Sequence, residues 1–166
     1  LAENPLSLHD KNELQHMIYK SCDIKRKIVE QDPEEKNIRK LLNFGHTLGH
    51  AIEAASDYKI RHGEAVAIGM VIESEISTEL GLLAQGISDK ITQVICEYDI
   101  PFKDVRAIKP ENLMPYFKLD KKNLNNEIYC VLLEDIGKPY VLGTSYAHPV
   151  SSELIQSKTE SFLKAF

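Results

Sequence analysis

The stretch "HGEAVAIGMVIESEISTELG", His62 to Gly81, constrains this chain more than any other. It is apolar almost without break from Ala65 to Ile72, so a helix built from it has no continuous face to offer to solvent. Such a helix must be wrapped by its neighbours, and the rest of the chain reads as the wrapping. Leu8 to Gln31 has no Gly or Pro and repeats Leu14, Met17, Ile18, Cys22 and Ile28 at helical spacing, which predicts one long amphipathic helix ended by Asp32-Pro33. A second helix is expected from Glu34 to Ser56, and a fourth from Ser88, read as its N-cap, to Tyr98. "KPENLMPYFKLD" gives a short fifth, and a last helix is expected from Ser151 to Lys164. Between them "EIYCVLLED", "IGK" and "PYVLGTS" read as a β-hairpin around Gly137. No repeat or low-complexity linker interrupts the chain. The expected fold class is mainly α, a multi-helix domain with a small β-hairpin.

At 166 residues and 43% apolar content, the chain is long enough for one domain with its own core. A net charge of -5 argues against a nucleic-acid partner, because phosphate-backbone affinity needs clustered Lys and Arg. A small anion in a local basic pocket stays compatible with it. No apolar run approaches the roughly 20 residues that span a bilayer, and "LAENPLSLHD" lacks the charged start and apolar middle of a secretory signal. A cytoplasmic protein without a membrane partner is therefore expected. Cys22, Cys96 and Cys130 show no ligand spacing and read as buried apolar fillers. The chain begins at Leu1, not Met, and reads as part of something longer.

The chemistry is concentrated in "RKLLNFGHTLGHAIE", Arg39 to Glu53. Read as one helix, it places Arg39, Asn43, His46, His50 and Glu53 within an arc of about 80° and its apolar residues opposite. A solvated face would normally carry Lys, Glu and Gln, whereas this stripe has Arg, Asn and two His. Gly45 and Gly49 would cost such a helix about 1–2 kcal/mol relative to Ala, so something must approach the backbone closely there. His46 and His50 have the spacing of a metal-binding pair, although "HTLGH" lacks the Glu of the zinc proteases; a structural pair, each ring bonded to a carbonyl or carboxylate, weighs about equally. His62, at the head of the buried helix, can bring a third ring, or simply cap that helix. Glu53 and Glu64 are possible acidic partners, and His9, His16 and His148 have no evident one. A catalytic zinc normally takes three protein ligands, so the set looks incomplete.

The two segments "NFGHTLGHAIE" and "HGEAVAIGM", separated by eight residues, resemble the shared core of the 3-dehydroquinate synthase family. The resemblance runs along essentially the whole chain, through Lys25 in "KRKIVEQDPEE" and the later "LDKK". It implies the C-terminal helical domain of a two-domain enzyme, residues 1–166, without the NAD-binding half, since no Gly-rich phosphate loop follows a strand. It also implies zinc (or cobalt) held by His46 and His62 with a glutamate from upstream. His50 and Lys25 take catalytic roles, and Lys25, Arg39, Asn43, His50 and one of Lys121 and Lys122 bind the anionic sugar phosphate.

The implied reaction converts 3-deoxy-D-arabino-heptulosonate 7-phosphate to 3-dehydroquinate and phosphate, a step of the shikimate pathway to aromatic amino acids. NAD, bound mainly by the missing half, transiently oxidises a ring hydroxyl; phosphate then leaves by elimination, and the ring opens and recloses by an aldol step. Family members are usually homodimers, and the isolated chain is expected to be inactive. The alternatives are a related cyclase, of the 2-deoxy-scyllo-inosose or valiolone synthase type, and a non-catalytic helical assembly domain. Metal-dependent alcohol dehydrogenases are more distant. Arg39, Asn43 and His50 favour the dehydroquinate synthase, because they suit a substrate with a carboxylate.

Overall fold

A computed structural model describes residues 10–98 and 127–165, together with isolated positions between 100 and 116. The core is built around α3, His62–Glu79, where Ala65, Val66, Ile68, Gly69, Val71, Ile72 and Ile76 are all buried. Among the described residues the other long helices are α1 (Lys11–Gln31), α2 (His46–Ala55), α4 (Gln85–Cys96) and α5 (Ser152–Ala165). α2 makes the most extensive contact with α3, and α4 and α5 pack on it from other sides. The fold is mainly α, as its apolar central helix requires.

α1 begins where the Asp10 carboxylate accepts the amides of Asn12 and Glu13, and it ends at Asp32, before Pro33. None of its residues is buried. Asp32 then organises the next turn, its carboxylate accepting the amides of Lys36, Asn37 and Arg39 at 3.0, 2.6 and 3.1 Å.

The expected helix from Glu34 to Ser56 is in fact two pieces. A 3₁₀ segment spans Ile38–Asn43, the chain breaks at Phe44 and Gly45, and α2 starts at His46. Gly45 has φ +77, a left-handed conformation that only glycine adopts without strain, so its helix penalty does not arise. Arg39 and Asn43 therefore do not continue the helical stripe of His46, His50 and Glu53.

Among the described residues, four short strands form two separate antiparallel pairs. β1 (Glu127–Cys130) pairs with β4 (His148–Ser151), with Ile128 opposite Val150; β2 (Leu133–Asp135) pairs with β3 (Lys138–Pro139) around Gly137. The hairpin is thus smaller than expected, because "EIYC" pairs across to residues 148–151 instead of continuing into it. Thr47 Oγ1 donates to the Tyr129 carbonyl at 2.9 Å, and the Leu133 amide donates to Ser77 Oγ at 3.1 Å, which ties the strands to α2 and α3.

Ser88 is not an N-cap. Ala84 holds that position, and Ser88 lies wholly buried inside α4, donating to Glu75 Oε1 and meeting Ser74 Oγ. Of the cysteines only Cys130 is buried; Cys22 is exposed on α1, which has no buried residue, and Cys96 is exposed as the last residue of α4. The described residues 112, 113, 115 and 116 of the short fifth helix are helical. No helix among the described residues is long and apolar enough to cross a membrane.

Candidate functional site

α2 and α3 meet through glycine. A Cβ on Gly69 would lie 2.0 Å from the Gly45 carbonyl oxygen, one on Gly45 would lie 2.6 Å from the Val66 carbonyl, and one on Gly49 would lie 2.9 Å from Val66 Cα. The backbones are in direct contact, which is the close approach that the glycine pair implies. Gly63, by contrast, has nothing within 4 Å and reflects no packing constraint.

This crossing brings three histidines together. His46 opens α2, His50 stands one turn further on, and His62 opens α3. Their ring centroids form a nearly equilateral triangle, with separations of 5.6 Å (His46–His50), 5.4 Å (His46–His62) and 5.5 Å (His50–His62). His46 Nδ1 lies 3.2 Å from the Phe44 carbonyl. A carbonyl can only accept, so this nitrogen carries the hydrogen and Nε2 keeps its lone pair. His62 Nδ1 likewise faces Glu53 Oε2 at 3.2 Å. In both rings one nitrogen is tied down by a protein acceptor and the other is left to bind, the usual arrangement of metal-ligating histidines.

Partial burial lowers the His46 pKa below its ordinary value, and the neighbouring His50, His62 and Lys25 act the same way, against the opposing Phe44 hydrogen bond. Burial thus favours the neutral ring, the form in which an imidazole binds a metal. Among the described residues no three His, Cys, Asp or Glu groups form a set that could hold a metal ion. The donors fit part of a zinc site, two imidazoles each with Nδ1 hydrogen-bonded and Nε2 left to bind, one short of the three protein ligands a catalytic zinc normally takes. Glu53 is engaged by His62, and Glu64 accepts the Arg61 amide at the start of α3 at 2.9 Å. Neither is free to complete the set.

Of the cationic residues, only Lys25 is shown acting on this cluster. Lys25 projects from exposed α1 and acts electrostatically on His46. Arg39 and Asn43 lie in the 3₁₀ segment, where the Arg39 guanidinium donates to the Pro33 carbonyl at 2.7 Å and Asn43 Nδ2 donates to Glu35 Oε1 at 2.7 Å. Lys121 and Lys122 lie outside the described residues. Among the other histidines, His16 is exposed on α1, and His148 is buried in β4 with Nε2 bonded to the Tyr140 carbonyl at 3.0 Å.

Sequence reasoning missed two carboxylates. Asp32 holds the turn that presents Arg39. Burial pushes its pKa up, but the three amide donors outweigh that and keep it below the ordinary carboxylate value. Glu73 is the second, wholly buried on α3 and accepting the Gly45 amide at Oε2, 2.8 Å away. Burial raises its pKa to about 8 against the opposing pull of the Gly45 and Leu48 amides. The available signal was a single Glu directly after the apolar run of α3, on a helix with no solvent face.

The family model for the 3-dehydroquinate synthase C-terminal region matches residues 2–123. The chain belongs to that family. 3-Dehydroquinate synthase from Clostridium botulinum is 43% identical over 133 residues, covering 80% of this chain and 38% of that protein. The enzyme from Clostridium beijerinckii is 42% identical over 135 residues, covering 81% and 38%. The chain thus spans about 38% of the length of these curated relatives. A solved 2-deoxy-scyllo-inosose synthase, complexed with carbaglucose-6-phosphate, NAD+ and Co2+, superposes with TM-score 0.81 at 25% identity, covering 90% of this chain and 42% of that one. A 2-epi-5-epi-valiolone synthase from Streptomyces hygroscopicus, bound to NAD+ and Zn2+, shares the fold with TM-score 0.80 at 18% identity, over 100% of this chain and 46% of that one. A dehydroquinate synthase-like helical domain is therefore the right description, and it is a part of the length over which its relatives extend.

Proposed function

We propose that this chain is the metal- and substrate-binding part of a 3-dehydroquinate synthase, acting on 3-deoxy-D-arabino-heptulosonate 7-phosphate together with an N-terminal NAD-binding domain. The observation that carries the reading is the histidine cluster at the α2–α3 crossing, where His46 and His62 each have Nδ1 bonded to a protein acceptor. His46 and His62 would hold zinc or cobalt through Nε2, with an acidic ligand from upstream. The metal would supply Lewis acidity to the substrate's hydroxyl and ketone oxygens, and NAD the reversible oxidation.

The chain's own residues bind and orient. Lys25 and Arg39 offer positive charge to the substrate's carboxylate and phosphate, Arg39 as a planar fork and Lys25 as a point charge. Lys121 or Lys122 would add a phosphate contact. Asn43 supplies an amide to a hydroxyl or carboxylate. His50, on the same face as His46 but outside the metal pair, faces the substrate, where its ring nitrogens can accept or donate a proton during ring opening. A homodimer and a cytoplasmic setting belong to the same reading and rest on the family resemblance.

Solved structures that share this fold include 2-deoxy-scyllo-inosose synthase, so the fold alone does not choose among cyclases. The greater identity to dehydroquinate synthases, 43% against 25%, supports the first reading. Cobalt titration of the chain, followed by visible absorption, tests the site. His46→Ala and His62→Ala are expected to lose at least tenfold in affinity and His50→Ala much less. Unchanged binding in both of the first two removes the metal assignment. Turnover by the chain alone with NAD and zinc would overturn the dependence on a second domain.

A further inference from the structure

The start of α2 is buried, and its N-cap is a glycine. Gly45, Leu48 and Gly49 are all buried, so water does not serve the Gly45 amide, one of those that a helix N-terminus leaves without partners. Gly45 has no side chain to do it. The acceptor comes from α3 instead, 28 residues away: Glu73 Oε2 receives the Gly45 amide at 2.8 Å. Glu73 lies one turn beyond Gly69, which is packed on the Gly45 carbonyl. Helix α3 thus holds both polar atoms of residue 45, the carbonyl by contact and the amide by a hydrogen bond.

The consequence follows from the planarity of the peptide bond. The Gly45 N–H and the Phe44 carbonyl belong to one peptide unit and point in opposite directions across it. Fixing the N–H fixes the carbonyl, and the Phe44 carbonyl is the acceptor of His46 Nδ1–H. A chain of two hydrogen bonds and one rigid plane therefore runs from the Glu73 carboxyl to the His46 ring. Hydrogen bonds in series also polarise one another, so a carboxyl on the N–H strengthens the carbonyl as an acceptor.

The geometry points to Glu73 as a positioning residue for His46, which holds the Phe44–Gly45 peptide plane and through it the ring orientation and tautomer that leave Nε2 free. Glu73 touches neither substrate nor metal in this role. A wholly buried carboxyl whose Oε1 completes no hydrogen bond, with the Leu48 amide near enough only to pull on it, is costly to a core, so apolar packing does not explain its presence. The inference rests on the proposed function only in taking His46 as a metal ligand.

The test uses the chain with nitrogen-15-labelled histidine and backbone, in the wild type, E73Q, E73L and E73M. Gln keeps an acceptor for the Gly45 amide; Leu and Met remove it without leaving a large void. In the wild type and E73Q, the Gly45 amide is expected to exchange slowly and His46 to carry its hydrogen on Nδ1. In E73L or E73M, protection of Gly45 falls, His46 redistributes between tautomers, and cobalt binds at least tenfold more weakly. Rapid Gly45 exchange in the wild type overturns the capping. An unchanged His46 tautomer in E73L or E73M overturns the positioning. Folding of E73Q with failure of both apolar variants to fold assigns Glu73 to the whole fold, which also overturns it. If the wild type binds no cobalt, the metal reading falls and the tautomer comparison alone decides the inference.

Discussion

At the α2–α3 crossing a Cβ on Gly69 would lie 2.0 Å from the Gly45 carbonyl, whereas α1, which carries Lys25, has no buried residue along its length. Both regions carry residues of the proposed site, but different forces hold them. The histidine side is set by backbone contact inside the core, where small displacements are expensive. The cationic side is set by hydrogen bonds to Asp32 and by an exposed helix. A metal tolerates little error in its ligands, and a phosphate or carboxylate met by Lys and Arg tolerates more. The architecture matches that difference in demand.

The largest expected effect is at the crossing. Gly69→Ala should cost about 3 kcal/mol or more in urea unfolding, because the new methyl meets a backbone carbonyl that cannot rotate away. Gly63→Ala, on the same helix with open space around it, should be neutral or stabilising by up to about 1 kcal/mol. Equal effects at the two positions would mean that the crossing is looser than the contact distances imply.

The Glu73 carboxyl gives the second. Unfolded, it ionises near the ordinary glutamate value; folded, burial raises its pKa to about 8, with the Cys130 thiol as a further titratable group within electrostatic reach. Between those values the folded chain keeps a proton that the unfolded chain has released, so raising the pH favours unfolding. The penalty is absent below the unfolded pKa, grows towards pH 8 and is complete above it. Glu73→Gln has no such term. Wild type should therefore lose stability relative to Glu73→Gln from pH 5 to pH 9, by a few kcal/mol as an order of magnitude. A pH-independent difference between the two would mean that the carboxyl is hydrated.

Much of this comparison can be read from the sequence, and the remainder fails for identifiable reasons. The nearly unbroken apolar run at Ala65–Ile72 points to the central helix, and the spacing of His46 and His50 points to a pair, with His62 at the head of that helix open as a third ring or a cap. The break at Gly45 was not legible, because a 3₁₀ turn followed by a helix keeps the apolar spacing of one helix through Leu41, Phe44 and Leu48. Ser88 misled for a related reason: a serine suits an N-cap by type, but here its hydroxyl has partners on α3 that only tertiary packing supplies. The strand pairing of residues 127–130 with 148–151 depends on long-range register, which local β-propensity does not encode. Glu73 stood in plain view, but its partner is 28 residues away.

A third test addresses the hydrogen-bonded side. Asp32→Ala should release the amides of Lys36, Asn37 and Arg39 to faster exchange while α2 and α3 keep their protection. Because the folded Asp32 pKa is depressed, its contribution is present above the unfolded pKa and is lost as the pH falls through the folded value. Loss of protection across α3 as well would mean that the two sides fold as one unit.

The smallest expected effect is on α1. Ile18, Tyr19 and Ile24 are 53%, 65% and 56% exposed, so Ile24→Ser removes little buried surface and should change the stability of this chain by no more than about 0.5 kcal/mol. Ile68→Ala, in the wholly buried part of α3, should cost about 2–5 kcal/mol by the same urea measurement. The ratio measures how far α1 depends on its packing within this chain. A large loss at Ile24 would show that α1 is packed in solution more tightly than its exposed side chains allow. The two sides of the site would then be held by the same force, and the contrast between core contact and exposed arm would disappear.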